Sequence, residues 1–209
     1  MMLEHEYALL GGFNRAHLGR WLGGLSALVS SALVFMILSV VDLAKGIGVN
    51  VNVPPMALSL VGAGAVYGAL YLLFNHVVWK FAPLGRLLKV PDLSGVWLCE
   101  GLRLETGSPE PWQGTVTIVQ TWDKLRIHLE TPTSGSDSVA AALLHDAATG
   151  YRLMYHYKNQ PRLNAPELSA HHGFAELTFL ADGRTASGEY FNGRGRNSFG
   201  TMTLRRGDA

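Results

Sequence analysis

The sequence predicts a membrane-anchored all-β protein, with two N-terminal transmembrane helices followed by an eight-stranded up-and-down antiparallel β-barrel. Three observations carry this reading. Between Trp21 and Trp79 the only formal charges are Asp42 and Lys45. Beyond Pro91 the apolar pattern changes from helical to alternating, and turn residues recur at short intervals. The connections between the resulting strands alternate between long and short.

The first uncharged run, Trp21 to Val41, is roughly 21 residues long and at about 1.5 Å per residue reaches across about 30 Å of hydrocarbon. A second runs from Met56 to Trp79, and the stretch from Asp42 to Pro55, with Gly46, Gly48, Asn50, Asn52 and Pro54-Pro55, reads as a hairpin loop. The first run is longer than the apolar region of a cleaved signal peptide and lacks a clear small-residue cleavage site. Arg15 and Arg20 precede the pair, Lys80, Arg86 and Lys89 follow it, and Lys45 alone lies between. This bias puts both termini in the cytoplasm, with a multi-pass anchor. Small residues at four-residue spacing, Gly23, Ala27 and Ser31 in one helix and Ser59, Ala63 and the Gly64/Gly68 pair in the other, allow close helix approach within the chain or between chains. Gly64 and Gly68 are the candidate oligomerisation positions. The expected organisation is a cytoplasmic segment over residues 1–20, the anchor over 21–80, a linker over 81–91 and a cytoplasmic ligand-sensing barrel over 92–209.

Composition narrows the function classes. A net charge of +1 over 209 residues gives no strongly basic face for a nucleic-acid polymer. A lone cysteine, Cys99, calls for no oxidising compartment.

Strands are expected at Leu93 to Leu104, Gln113 to Trp122, Lys124 to Thr131, Ser138 to Asp146, Tyr151 to Lys158, His172 to Leu180, Thr185 to Asn192 and Phe199 to Arg206. Links one, three, five and seven are the longer ones and share an end in an up-and-down barrel, so the barrel has a loop-rich mouth and a tight-turned base. Because the first strand starts at the base just after the anchor, the base is expected to face the bilayer and the mouth the cytosol. Tyr151, Leu153, Tyr155, Tyr157 and Asn159 share one parity, as do Gly188, Tyr190, Asn192 and Arg194, and both sets grow more polar toward the mouth. With Gly101, Ala140, Ala142 and Gly188 leaving space, an eight-stranded barrel can hold one small ligand, the alternative being a lumen packed with side chains.

The opening Leu93-Ser94-Gly95-Val96-Trp97 resembles the Gly-x-Trp start of lipocalin and avidin-like barrels, which gives Trp97 a structural place at the base beside Trp122 and Arg205 or Arg206. At the mouth, Arg194 and Arg196 among glycines can fork onto phosphate oxygens, Tyr190 and Tyr157 offer stacking faces, and Asn159 and Asn192 add amides. Thr131, Ser136 and Ser138 add hydroxyls. These nine residues are the candidate ligand-binding set, suited to a small anionic molecule that carries bases. His171 and His172 are adjacent strand residues that point to opposite faces, so they do not jointly hold a metal. No nucleophile, phosphate-loop or metalloprotease motif is present, and neither catalysis nor a cofactor is expected.

The helix pair, Asp92 to Trp97, Val119-Gln120-Thr121-Trp122, Glu130-Thr131, the Ser134 to Ser138 loop and Tyr190 to Arg196 together resemble the two-transmembrane β-barrel effectors associated with CD-NTase enzymes in CBASS anti-phage defence. The resemblance implies a cytoplasmic barrel that binds a cyclic oligonucleotide, in first place a cyclic dinucleotide, as regulatory ligand. It further implies ligand-promoted homo-oligomerisation and disruption of the inner membrane, ending in growth arrest or death. A membrane-tethered, lipocalin-like carrier of an apolar small molecule is the alternative, and a barrel that only docks another protein is a third reading.

Overall fold

The structure, a computed structural model, describes residues 4–104, 108–163, 169–193 and 197–207. The chain divides into a helical unit, Phe13–Trp79, and a β unit formed by the segment up to Gly12 together with the chain from Lys80 onward.

In the helical unit, α1 (Arg15–Gly46) starts where the Asn14 side chain accepts the Ala16 amide at 2.8 Å. Its inner face is Leu18, Leu22, Ser26 and Ser30, one helical row. The second apolar segment is broken into α2 (Pro55–Leu60) and α3 (Ala63–His76). The break at Val61-Gly62 frees the Val61 carbonyl, and Ser30 donates its hydroxyl to it at 2.5 Å. Inside hydrocarbon an unmet carbonyl is costly, so this bond lets the segment bend without an orphaned acceptor. Large apolar side chains such as Leu28, Phe35 and Leu43 stay exposed on this unit, and both segments, Arg15–Gly46 and Pro55–Lys80, are long and apolar enough to cross a membrane.

The β unit holds nine strands among the described residues: β1 (His5–Leu10), β2 (Gly95–Arg103), β3 (Glu110–Gln120), β4 (Lys124–Glu130), β5 (Ser134–Asp146), β6 (Gly150–Pro161), β7 (His171–Phe179), β8 (Thr185–Gly193) and β9 (Ser198–Arg206). β2 to β9 form the expected antiparallel meander, and β2 pairs with β9 to close it. The eight expected strands all form. The ninth, β1, is the correction. It lies between β4 and β5, antiparallel to the first and parallel to the second, so part of the 1–20 segment belongs to the barrel. The 81–91 stretch is also more than a linker: it contains α4 (Ala82–Leu88), and Leu88 and Val90 are buried.

One expectation about the lumen fails. A β-bulge between Ser138 and Ala140 inserts a residue into β5, and an insertion flips every later side chain to the other face. Ala140 and Ala142 therefore point outward opposite His156 and Met154, while Ala141 and Leu143 point in opposite Tyr155 and Leu153.

The base is plugged as the Gly-x-Trp start suggested. Trp97 and Trp122 are fully buried, the Trp97 indole donates to the Leu93 carbonyl at 3.0 Å, and the Arg206 guanidinium sits 5.3 Å over the Trp97 ring. Gln120 ties the chain passages together. Its amide oxygen accepts from the Leu93 N–H at 2.8 Å, and its amide nitrogen donates to the Tyr7 hydroxyl and the Pro91 carbonyl, both at 3.3 Å. Gly11 (φ 74°) leaves this corner in the left-handed region, where a Cβ would stand 2.4 Å from the His145 carbonyl oxygen. Gln120→Leu leaves the buried Leu93 N–H without an acceptor and should cost about 1–3 kcal/mol in chemical denaturation of the full chain. Unchanged stability would show that Gln120 is dispensable to the plug.

Candidate functional site

The mouth opens into a cavity of about 670 Å³, within the roughly 300–1,000 Å³ of small-molecule sites. Its lining includes the apolar Ile127, Leu129 and Met202. Its walls carry Trp112, Tyr155, Tyr157 and Tyr190, and its rim carries Thr131, Ser134, Ser136, Asn159, His171 and Asn192. The lumen is open, against the reading of a barrel packed with side chains.

Space for the rings comes from glycines directly across the sheet. Trp112 pairs with Gly101 and Tyr157 with Gly173, and a Cβ on those glycines would fall 1.9 Å and 2.3 Å from the opposing ring. The rings thus lie against the wall instead of projecting across the lumen, and any larger residue would push them inward. Trp112 also meets Tyr190 edge to face, centroids 5.8 Å apart, and its indole N–H donates to the Tyr190 hydroxyl at 3.0 Å.

The polar rim is wired internally. Tyr157 donates to Asn192 Oδ1 at 2.7 Å, and Asn192 Nδ2 donates to the Ser198 hydroxyl at 2.8 Å. Asn159 Nδ2 donates to Ser136 at 2.8 Å and to Ser134 at 3.0 Å. Such bonds hold each amide in one orientation. Among the described lining residues Arg103 alone carries a fixed charge, and it pairs with Glu110 at 2.8 Å. Burial pushes the Tyr155 hydroxyl well above the ordinary tyrosine range, so it remains protonated.

Of the candidate set, Thr131, Ser136, Tyr157, Asn159, Tyr190 and Asn192 all line this one cavity. Ser138 does not. Its hydroxyl accepts the Ile127 N–H at 2.9 Å and lies 2.7 Å from His5 Nε2, a position inside the barrel wall. Arg194 and Arg196 fall outside the described residues. Sequence reasoning missed Trp112, Arg103, Gln113 and His171 as lining residues. Trp112 falls in the link before the strand expected from Gln113, yet β3 begins at Glu110. The available signal was its spacing from Gly101, two alternating strands joined by a hairpin link.

Two family descriptions match the chain. That of the Cap15 cyclic dinucleotide receptor domain covers residues 88–206, and that of the Cap15 TM helices covers residues 16–80. The chain belongs to the Cap15 family. It is also 42% identical over 206 residues to CD-NTase-associated protein 15 of Yersinia aleksiciae, which covers 98% of each chain. The Cap15 match bears out the resemblance drawn from the helix pair and the barrel motifs, and places this cavity inside a cyclic dinucleotide receptor domain. Membrane association follows from the matched Cap15 helices, and the other matched Cap15 part is described as a receptor domain. The β1 strand lies outside both matched Cap15 ranges.

Below the cavity, burial and then the Glu100 carboxylate push the Cys99 thiol up to about 12. At pH 8 its thiolate fraction is on the order of 10⁻⁴, so iodoacetamide should label the native chain at least about 100-fold more slowly than the urea-unfolded chain. Comparable rates would mean that the plug opens on the labelling timescale.

Proposed function

We propose that this chain is a CBASS anti-phage effector that captures a cyclic dinucleotide in the barrel mouth, assembles into oligomers and disrupts the bacterial inner membrane. The observation that carries the reading is the open, ring-walled, amide-rimmed cavity within the matched receptor domain. Bases stack on Trp112, Tyr157 and Tyr190, Thr131, Ser136, Asn159 and Asn192 supply hydrogen bonds, and Arg194 and Arg196 neutralise the phosphates from the connecting loop. Residues 11–12 and 88–91 lie together at the base, where a Cβ on Gly12 would stand 3.3 Å from the Leu88 carbonyl, so both chain passages to the helical segment leave from the base. With the basic bias of the flanks, this supports a cytoplasmic barrel and cytoplasmic termini. An apolar cargo fits less well, because it would strip water from Asn159, Asn192 and the rim hydroxyls without replacing its hydrogen bonds.

Gly64 and Gly68 supply the assembly surface. No atom lies within 4 Å of a Cβ placed on either, whereas α1 packs through its Leu18 to Ser30 row. Both small-residue faces are thus available to another chain.

Calorimetry of the full chain in detergent against a panel of 3′,3′-cyclic dinucleotides tests the receptor role, and silence across the panel would end it. Each of Trp112→Ala and Tyr190→Ala should weaken binding by about 5- to 150-fold, the equivalent of about 1–3 kcal/mol of stacking. Arg194→Ala should weaken it and flatten its salt dependence. Unchanged affinity in all three would move the site elsewhere. Introducing Ile at both Gly64 and Gly68 should preserve binding and abolish ligand-dependent growth arrest, and retained arrest would acquit that face.

A further inference from the structure

We infer that β1 is a relay strand whose seat in the barrel wall responds to occupancy of the mouth and passes that response to α1. The inference rests on the receptor reading above and adds its route of regulation.

β4 and β5 pair with each other only near the mouth, at His128 with Asp137, Leu129 with Ser136 and Glu130 with Gly135. Toward the base they part, and β1 fills the seam. His5 and Glu6 pair with Leu125 and Lys124 on one side, and Tyr7 to Leu10 pair with Ala141 to Leu144 on the other. The fork is held by one side chain. Ser138 accepts the Ile127 N–H, an amide that a β5 carbonyl would take in a continuous ladder, and the same oxygen lies 2.7 Å from His5 Nε2. His5 Nδ1 is 2.9 Å from the Glu6 carbonyl, which can only accept, so Nδ1 carries the proton of the neutral ring and Nε2 accepts from Ser138. One hydroxyl therefore joins β4, β5 and β1 beside the bulge that re-aims β5.

Above the fork, the two parting strands and their turn supply Leu129, Thr131, Pro132, Thr133, Ser134 and Ser136 to the cavity. Below it, β1 continues into α1 through residues 11–14 alone. The wall has two closed arrangements: nine strands with β1 seated, or eight with β4 and β5 zipped along their length. A ligand that touches both sides of the seam binds the zipped wall better, and that difference in affinity unseats β1. The shift reaches the membrane because the strand and the helix are one covalent segment.

Hydrogen exchange of the full chain in detergent, with and without a cyclic dinucleotide that binds by calorimetry, is the first test. Exchange across residues 5–10 should quicken at least about tenfold on saturation, as local opening does when a strand leaves its ladder. Binding without any change there would overturn the relay and leave the receptor reading standing, whereas absence of binding would strike the receptor reading itself. The second test staples the strand with Ala8→Cys and Ala142→Cys, register partners on the outer face, while Cys99 stays buried. Oxidised, this protein should bind about 5- to 150-fold more weakly and release dye from phosphatidylethanolamine–phosphatidylglycerol vesicles at least about tenfold more slowly. Reductant should restore both. Equal affinity before and after reduction would overturn the relay whatever the leakage.

Discussion

One barrel holds the chain on both sides of the membrane segment, and this constraint governs the rest. β1 comes before the helical unit and β2 to β9 after it, yet all share one closed wall. Gln120 binds the Tyr7 hydroxyl on the way in and the Pro91 carbonyl and Leu93 amide on the way out. The inserted segment must therefore leave and return to one end of one barrel. An insertion of that kind would cross a membrane an even number of times, and two of its segments are long and apolar enough to do so. The charge bias around the helices and the strand pairing are independent observations, and both agree with the proposed hairpin.

The lumen is shaped by subtraction. Glycines opposite Trp112 and Tyr157 let the rings flatten against the wall, which keeps the cavity open without lengthening the strands or adding to their number. Rim amides and hydroxyls are already bonded to one another, so a ligand meets fixed donors and acceptors and little ordering remains to be done. The interior is nearly uncharged, and the one fixed charge described there is shared with Glu110. A dianion held in such a cup needs cations from its edge. On the proposed function, stacking would fall to the interior and charge neutralisation to Arg194 and Arg196.

The barrel was legible in sequence because its pairing is local: β2 to β9 each pair with the next, and period-two alternation survives along most of them. β1 was illegible for the opposite reason. It is six residues long and joins strands more than a hundred positions away, in a mixed parallel and antiparallel seat that no adjacent segment announces. Ser138 shows how a bulge defeats parity. The count from the mouth places it correctly inside, but the split seam recruits its hydroxyl to the wall, and beyond it Ala140 and Ala142 exchange faces. Six of the nine candidate residues line the cavity because polarity rises toward the mouth along the inward rows of β6 and β8 and the candidates were drawn from that end. Trp112 was lost because the strand was expected to begin at Gln113, whereas β3 begins at Glu110 and the first residues of a strand tolerate a proline such as Pro111.

On the proposed function, the helical unit needs only a weak preference for its own kind. Lipid supplies no hydrophobic drive between helices, so an association at Gly64 and Gly68 would depend on close backbone contact and would be modest for a single pair. Barrels gathered by ligand would change the arithmetic. Helices tethered to neighbouring barrels meet at an effective concentration of order millimolar, enough to populate contacts that dispersed chains rarely make. A strong intrinsic contact would assemble without ligand and be toxic at rest. On the proposed function, the break at Val61, satisfied by Ser30, and the small-residue face left open beside it would suit a membrane segment that stays a stable hairpin when alone and becomes adhesive when crowded.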